Sequence, residues 1–201
     1  MSASVLSTNS GAGSYSSLYG DFSRMFASAQ GGDDTLTVTN SGNGVGNSFL
    51  YGDAQVMEQA AHGGNDSLNG GDGNDSLYGD GEFYSPTSPG SITGGTDTLN
   101  GGAGDDQLWG GPNDDKFVFN VGSGNDSIND FNQGNLAVGS TATEHDVIDV
   151  QAYGFSDWNA LQAVISDDVV SGNAVIYLSA TDSITLVGIH TADLLQTDFI
   201  I

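Results

Sequence analysis

An aspartate set two residues ahead of an apolar residue and just behind a glycine-rich turn recurs through the middle of this chain in units of nine. Residues 70–78 read Gly-Gly-Asp-Gly-Asn-Asp-Ser-Leu-Tyr, and the pattern returns at 61–69, 92–100, 101–109, 110–118 and 121–129. Copies also lie at 29–37 and, with Ser48 in place of the aspartate, at 43–51, while residues 11–19 form a decayed one. The sixth-position carboxylates Asp66, Asp75, Asp97, Asp106, Asp115 and Asp126, joined by Asp34 and Asp80, are hard oxygen donors. The turns beside them offer backbone carbonyls at Gly64, Gly71, Gly73, Gly95, Gly102, Gly104, Gly111, Gly122 and Gly124, with Asn113 standing where the fifth copy lacks its glycine. Oxygen-only donor sets of this kind suit Ca²⁺. The fifth-position residues Asn65, Asn74, Asp105, Asp114 and Asn125 are expected to act through backbone or outer contacts.

The whole chain carries the same bias. Of 201 residues, 26 are acidic and only Arg24 and Lys116 are basic, a formal charge of −24. Such a chain repels itself, and crowded carboxylates must take up protons or cations. About six Ca²⁺ ions would offset roughly half of the charge. A purely solvating acidic tail is argued against by an apolar content of 37 % that recurs at fixed spacing. The acidity disfavours nucleic acid and anionic membranes as partners. Cysteine is absent, which excludes disulfides and thiolate chemistry. No apolar run is long enough to span a membrane, and the N-terminal sequence lacks the basic and hydrophobic regions of a cleavable signal peptide.

The elements that position these turns follow from the eighth residue of each unit. Leu36, Leu50, Leu68, Leu77, Leu99, Leu108, Phe117 and Ile128 are predicted to point inward from very short strands and to stack as an apolar ladder. One unit cannot bury its own leucine, so stability requires stacking. Burial of roughly 1.5–3 kcal/mol per side chain is modest against the entropy of ordering so many glycines. Bound cations are expected to supply the difference, which predicts metal-coupled folding. A second periodicity overlies the first. Leu-Tyr-Gly-Asp occurs at 18–21, 50–53 and 77–80, each followed by an excursion, the first two containing Met25 or Met57 and the third, 81–91, containing Tyr84, Pro86 and Pro89. These read as loops protruding from a regular body, with short helices as an alternative for the Met-containing pair.

The nonapeptide resembles the calcium-binding repeat of the RTX (repeats-in-toxin) family. That resemblance implies an all-β fold, a right-handed parallel β-roll with two nonapeptides per turn, and several Ca²⁺ ions held between repeats i and i+2. Carried over by position, it pairs Asp97 with Asp115, Asp106 with Asp126, and Asp75 with Asp97 across the 81–91 excursion. The region after residue 131 is similar to the C-terminal part of serralysin-type RTX proteins, through DVIDV, GFSDWNALQA, DSITLVGI and DFII. It implies a small mixed helix/strand cap over 132–201, carrying an uncleaved signal for type I secretion machinery, preceded by a roll over 29–131 and a degenerate repeat or cap over 1–28. Within the cap, residues 132–145 read as a loop and Ser156 as the cap of a helix reaching Val164 or Ile165. Residues 173–179 and 183–189 read as strands, and Thr191 as the start of a last short helix.

No enzyme is expected. The serralysin zinc motif His-Glu-x-x-His is missing, the three histidines His62, His145 and His190 are far apart, and no Gly-x-Ser-x-Gly elbow occurs. Glu58, Glu82 and Glu144 lie in insertions, away from the repeat carboxylates. The resemblance implies a calcium-binding protein, secreted or at the surface of a Gram-negative bacterium, with a surface, matrix or host-interaction role. The alternative is a calcium-dependent carbohydrate-binding module akin to those of alginate epimerases, contacting an extracellular polysaccharide through an outward stripe of Tyr51, Tyr78 and Trp109, rings that ordinary strand packing explains about as well.

Overall fold

The computed structural model describes the backbone of residues 5–8 and the full residues 16–39 and 46–201. The decayed copy at 11–19, the copy at 43–51 and the proposed N-terminal unit 1–28 therefore fall partly outside the described residues.

Three- and four-residue strands are all that the glycine turns leave room for, and they stack turn upon turn into two facing sheets. The first sheet runs, in spatial order, Val5–Thr8, Thr35–Val38, Ser67–Asn69, Thr98–Asn100, Lys116–Val118, Val147–Asp149 and Phe199–Ile200. Every pairing in it is parallel. The second begins with Ser16–Tyr19, Ser48–Tyr51, Ser76–Tyr78, Gln107–Trp109, Asn125–Ile128 and Ser183–Leu186, all parallel. It ends in the antiparallel strands Ala174–Tyr177 and Ile165–Asp167. The chain alternates between the sheets, so each turn contributes one strand to each: a parallel β-roll.

Register follows the eighth position. Leu36, Leu68, Leu99 and Phe117 are mutual neighbours in the first sheet, as are Leu50, Leu77, Leu108 and Ile128 in the second. All eight are buried in one core that continues into the cap through Ile148, Leu161, Ile184 and Leu186. The predicted ladder is present in full.

The excursions are neither plain loops nor helices. Phe22–Met25, Ala54–Gln59 and Phe83–Pro86 form a third, parallel three-stranded sheet beside the roll. Because the excursions leave equivalent points of successive turns, they stack as the turns do, and Met25 and Met57 are buried with Ala54, Ile92 and Val138 in a second small core.

The cap differs in detail from its sequence reading. The helix is Trp158–Gln162, capped by Asp157 and not by Ser156, because the Asp157 carboxylate accepts the Ala160 N–H at 2.9 Å. The chain after the helix becomes a strand, Ile165–Asp167, and the predicted strands shorten to Ala174–Tyr177 and Ser183–Leu186. Residues 132–145 include a single helical turn, Gly134–Ala137. Thr191–Asp193 is a 3₁₀ turn that starts after His190. Among the described residues no helix is long and apolar enough to cross a membrane.

Candidate metal centre

Each sixth-position aspartate sits at the entrance of a strand, where the turn tightens before the chain extends. Its neighbours one turn away occupy the same point, so the aspartates stack in two columns along the edges of the roll. On the first edge the Asp34 N–H donates to Asp66 Oδ1 at 2.7 Å, Asp66 N–H to Asp97 Oδ1 at 2.7 Å, Asp97 N–H to Asp115 Oδ1 at 2.8 Å, and Asp115 N–H to Asp146 Oδ1 at 2.9 Å. On the second edge Ser48 N–H donates to Asp75 Oδ1, Asp75 N–H to Asp106 Oδ1 at 2.7 Å, and Asp106 N–H to Asp126 Oδ1 at 2.9 Å. One oxygen of each carboxylate thus staples a turn to the next.

The columns bring Asp97 beside Asp115 and Asp106 beside Asp126, as the RTX resemblance implied. They separate Asp75 from Asp97. The excursion over 81–91 occupies the return from the second sheet to the first, so Asp97 enters the opposite edge; Asp75 stacks with Asp106, and Asp97 with Asp66. Asp146 extends the first column into the cap, while Asp182 meets the second edge two residues out of the Asp126 register and accepts from Gly122 and Gly124 N–H. Asp80 lies in neither column and accepts the Gly95 N–H instead.

The second oxygen distinguishes the body of the roll. Oδ2 of Asp66, Asp75, Asp97, Asp106, Asp115 and Asp126 is buried without a hydrogen-bond partner, although these residues are at most 3 % exposed. A buried, unpartnered carboxylate oxygen is expensive unless something compensates it. Burial first, and neighbouring carboxylates after it, push the acids upward: Asp106 to about 6, Asp75 and Asp126 to about 7, Asp66 to about 8, and Asp97 and Asp115 well above the ordinary range. In the case of Asp106, Asp75 N–H donation partly opposes the rise. The two basic side chains give no relief, since Arg24 pairs with Glu58 at 3.0 Å and Lys116 with Asp149 at 2.7 Å.

The surroundings of these oxygens are further oxygens. A Cβ placed on Gly79 would lie 2.3 Å from Asp97 Oδ2 and 2.2 Å from the Gly110 carbonyl oxygen, and one on Gly70 would lie 2.6 Å from Asp75 Oδ2 and 2.4 Å from the Gly101 carbonyl. The turns themselves require glycine or asparagine: Gly104 has φ 135° and Asn113, at the position that departs from the repeat, has φ 90°. At Gly95, with no positive φ, close approach is the constraint, because a Cβ would sit 1.5 Å from the Gly64 carbonyl oxygen. Gly64, Gly71, Gly73, Gly102, Gly111, Gly122 and Gly124 line the same turns. The donor set fits a hard divalent cation: carboxylate and carbonyl oxygens, negative charge, and no nitrogen or sulfur. Among the described residues no group of three or more His, Cys, Asp or Glu side chains converges on one point, so carbonyls must complete any coordination shell.

The fifth-position residues form an outer ladder. Asn65 Oδ1 accepts from Thr96 N–H, Asn74 Oδ1 from Asp105 N–H, Asp105 Oδ1 from Asn125 N–H, and Asp114 Oδ1 from His145 N–H.

A family model, the RTX calcium-binding nonapeptide repeat in four copies, matches residues 61–82 and 91–128. This part of the chain is an RTX repeat array. No curated protein and no solved structure matches the chain. The match ends before the cap, so the repeat family accounts for the RTX body and not for residues 132–201. The aromatic stripe runs along this array with Tyr51 and Tyr78 covered and Tyr19 and Trp109 half-buried. Tyr19, Tyr51, Tyr78 and Trp109 stack face to face with centroids 4.5–5.1 Å apart. Tyr51 is 3 % and Tyr78 8 % exposed, and the Tyr51 hydroxyl donates to Glu82. The stack packs successive turns of the roll together.

Sequence reasoning missed Asp146 as a column member and Asp182 as the acceptor that closes the second edge. Both stand two residues ahead of an inward apolar residue, Ile148 and Ile184, but lack the glycine turn in front.

Proposed function

We propose that this chain is a secreted calcium-binding RTX protein whose repeat body stays unfolded where calcium is scarce and folds when it reaches calcium outside the cell. The observation that carries this reading is the set of six buried column carboxylates, Asp66, Asp75, Asp97, Asp106, Asp115 and Asp126, whose Oδ2 atoms have no hydrogen-bond partner. Asp66, Asp97 and Asp115 on one edge, and Asp75, Asp106 and Asp126 on the other, would hold Ca²⁺ with carbonyl oxygens of the neighbouring glycine turns; Asp34 stands at the head of the first column. The ion would supply positive charge between turns that otherwise repel each other. The chain's own contribution is geometric: N–H to Oδ1 staples set the register, and the apolar ladder closes the core behind it.

Non-catalytic action fits this arrangement, since the buried acids are committed to the turns and the chain has no cysteine and no His-Glu-x-x-His motif. A role at the cell surface, in a matrix or toward a host follows from the secreted reading. Export through type I machinery, with its signal in the cap, is part of the proposal. Removing residues 190–201 should abolish export, and unchanged export would remove that part. Isothermal titration tests the binding: calcium should bind at several sites per chain with magnesium unable to replace it. A chain that takes up no calcium would overturn the proposal.

A further inference from the structure

The Leu-Tyr-Gly-Asp aspartates lie outside the nonapeptide columns, and two of them carry the same unresolved charge. Asp53 and Asp80 are one turn apart, joined by the Asp53 N–H donating to the Asp80 carbonyl at 3.1 Å. Each closes an excursion at its base. Asp53 Oδ1 accepts the Gly64 N–H at 3.0 Å and Asp80 Oδ1 the Gly95 N–H at 2.8 Å. These clips explain one oxygen of each carboxylate. They leave Oδ2 of both residues without a partner, in side chains that are 0 % exposed.

The two carboxylates also face each other. Asp80 Oδ1 and Asp53 Oδ2 lie 2.1 and 2.3 Å from the single point where a Cβ on Gly63 would be. On its far side, Asp80 Oδ2 shares the space over Gly94 with the Pro112 carbonyl oxygen, at 2.0 and 2.4 Å from a Cβ there. Neither Arg24 nor Lys116 is available, as both are paired elsewhere. Two buried acids held face to face by backbone clips must share a proton or hold a cation between them, and a cation also answers the Oδ2 atoms that the clips leave without a partner. Asp21, the third member of the motif, is partly exposed and has its Oδ2 occupied by the Gly32 N–H at 2.8 Å, so it carries no such demand.

The geometry points to an additional divalent-cation site between Asp53 and Asp80, outside both sixth-position columns, at the junction of the roll and the side sheet. It rests on the calcium reading above for the choice of metal. Its role is local. Asp53 leads directly into Ala54–Gln59 and Asp80 into the excursion bearing Phe83–Pro86, so the ion would fasten the side sheet to the roll.

Native mass spectrometry of the full chain in saturating calcium tests this with Asp53→Asn/Asp80→Asn beside Asp106→Asn. Asparagine keeps the Oδ1 acceptor, so the clips to Gly64 and Gly95 survive while the charge is lost. The double variant should hold one ion fewer than the native chain, and hydrogen exchange should quicken in 54–59 and 83–86 but not in 107–109. An unchanged ion count, with Asp106→Asn still losing an ion, overturns this site and leaves the calcium reading standing. A native chain that holds no ions overturns both. Should the double variant fail to fold, calcium-loaded crystals of the native chain decide: anomalous density between Asp53 and Asp80 supports the site, and its absence overturns it.

Discussion

The body of the roll and its C-terminal cap bury aspartates equally well and treat them oppositely. In the body, each column carboxylate from Asp66 to Asp126 uses Oδ1 as a staple and leaves Oδ2 unpartnered. In the cap, both oxygens are occupied. Asp182 Oδ2 accepts from Gly122 N–H and the Tyr153 hydroxyl, and Oδ1 from Thr181. Asp146 accepts from Asp115 and Asn132 N–H, and Asp198 from Leu195 N–H with His145 Nε2 at its other oxygen. The columns end where protein donors replace the need for a cation. On the proposed function, calcium dependence belongs to the body, and the cap closes it with ordinary hydrogen bonds.

Cavity formation gives the largest contrast. Leu99→Ala in the body should cost about 2–5 kcal/mol, but only with calcium present, because without it the body has little structure to lose. Leu161→Ala in the cap, equally buried, should cost a similar amount whether or not calcium is present. Denaturant unfolding in calcium and in chelator measures both, and equal calcium dependence at the two sites would break the contrast.

Charge removal should then act with opposite signs in metal-free protein. Asp97→Asn keeps the acceptor for Asp66 N–H and discharges a buried group, so it should raise residual order and reduce the calcium response. Asp182→Asn removes a satisfied acceptor and should cost about 1–3 kcal/mol. Thermal melts in chelator distinguish the two.

Acid should mimic the metal in the body. The column acids are raised by burial, Asp106 to about 6, Asp75 and Asp126 to about 7, and Asp66 to about 8. A raised carboxylate stabilises the fold fully below its unfolded value of about 3.9 and loses that contribution as pH rises through the folded value. Metal-free chain should thus gain β-structure as pH falls from 8 toward 4. With calcium bound the sign reverses, since protons compete for the same oxygens. Circular dichroism across that range, with and without calcium, should give two curves of opposite slope.

The smallest effect is expected at the seam. Tyr153→Phe removes the hydroxyl that donates to the Asn120 carbonyl and Asp182. It should cost about 0.5–1.5 kcal/mol, with calcium affinity of the body unchanged by titration.

The repeat body was legible because its physics is periodic. A carboxylate, a turn and an inward leucine recur at one spacing, so the ladder from Leu36 to Ile128 could be read directly, and the RTX resemblance implied the pairs Asp97–Asp115 and Asp106–Asp126. Asp75 was misassigned because counting residues across 81–91 does not say on which edge the chain returns; that is set by the side strand Phe83–Pro86. The side sheet itself was hidden because its strands pair only once the turns beneath them have stacked. Asp146 and Asp182 were hidden for the converse reason, since they keep the aspartate and the apolar residue and dispense with the glycines. In the cap, Asp157 displaced Ser156 as helix cap by one residue, a difference decided by backbone direction at the helix start.

Far-UV circular dichroism during a calcium titration, with magnesium as control, tests the central claim most directly. The account predicts a cooperative gain of β signal with calcium, none with magnesium, and its loss on chelation. A chain already folded in chelator, with a spectrum that calcium does not change, would contradict it.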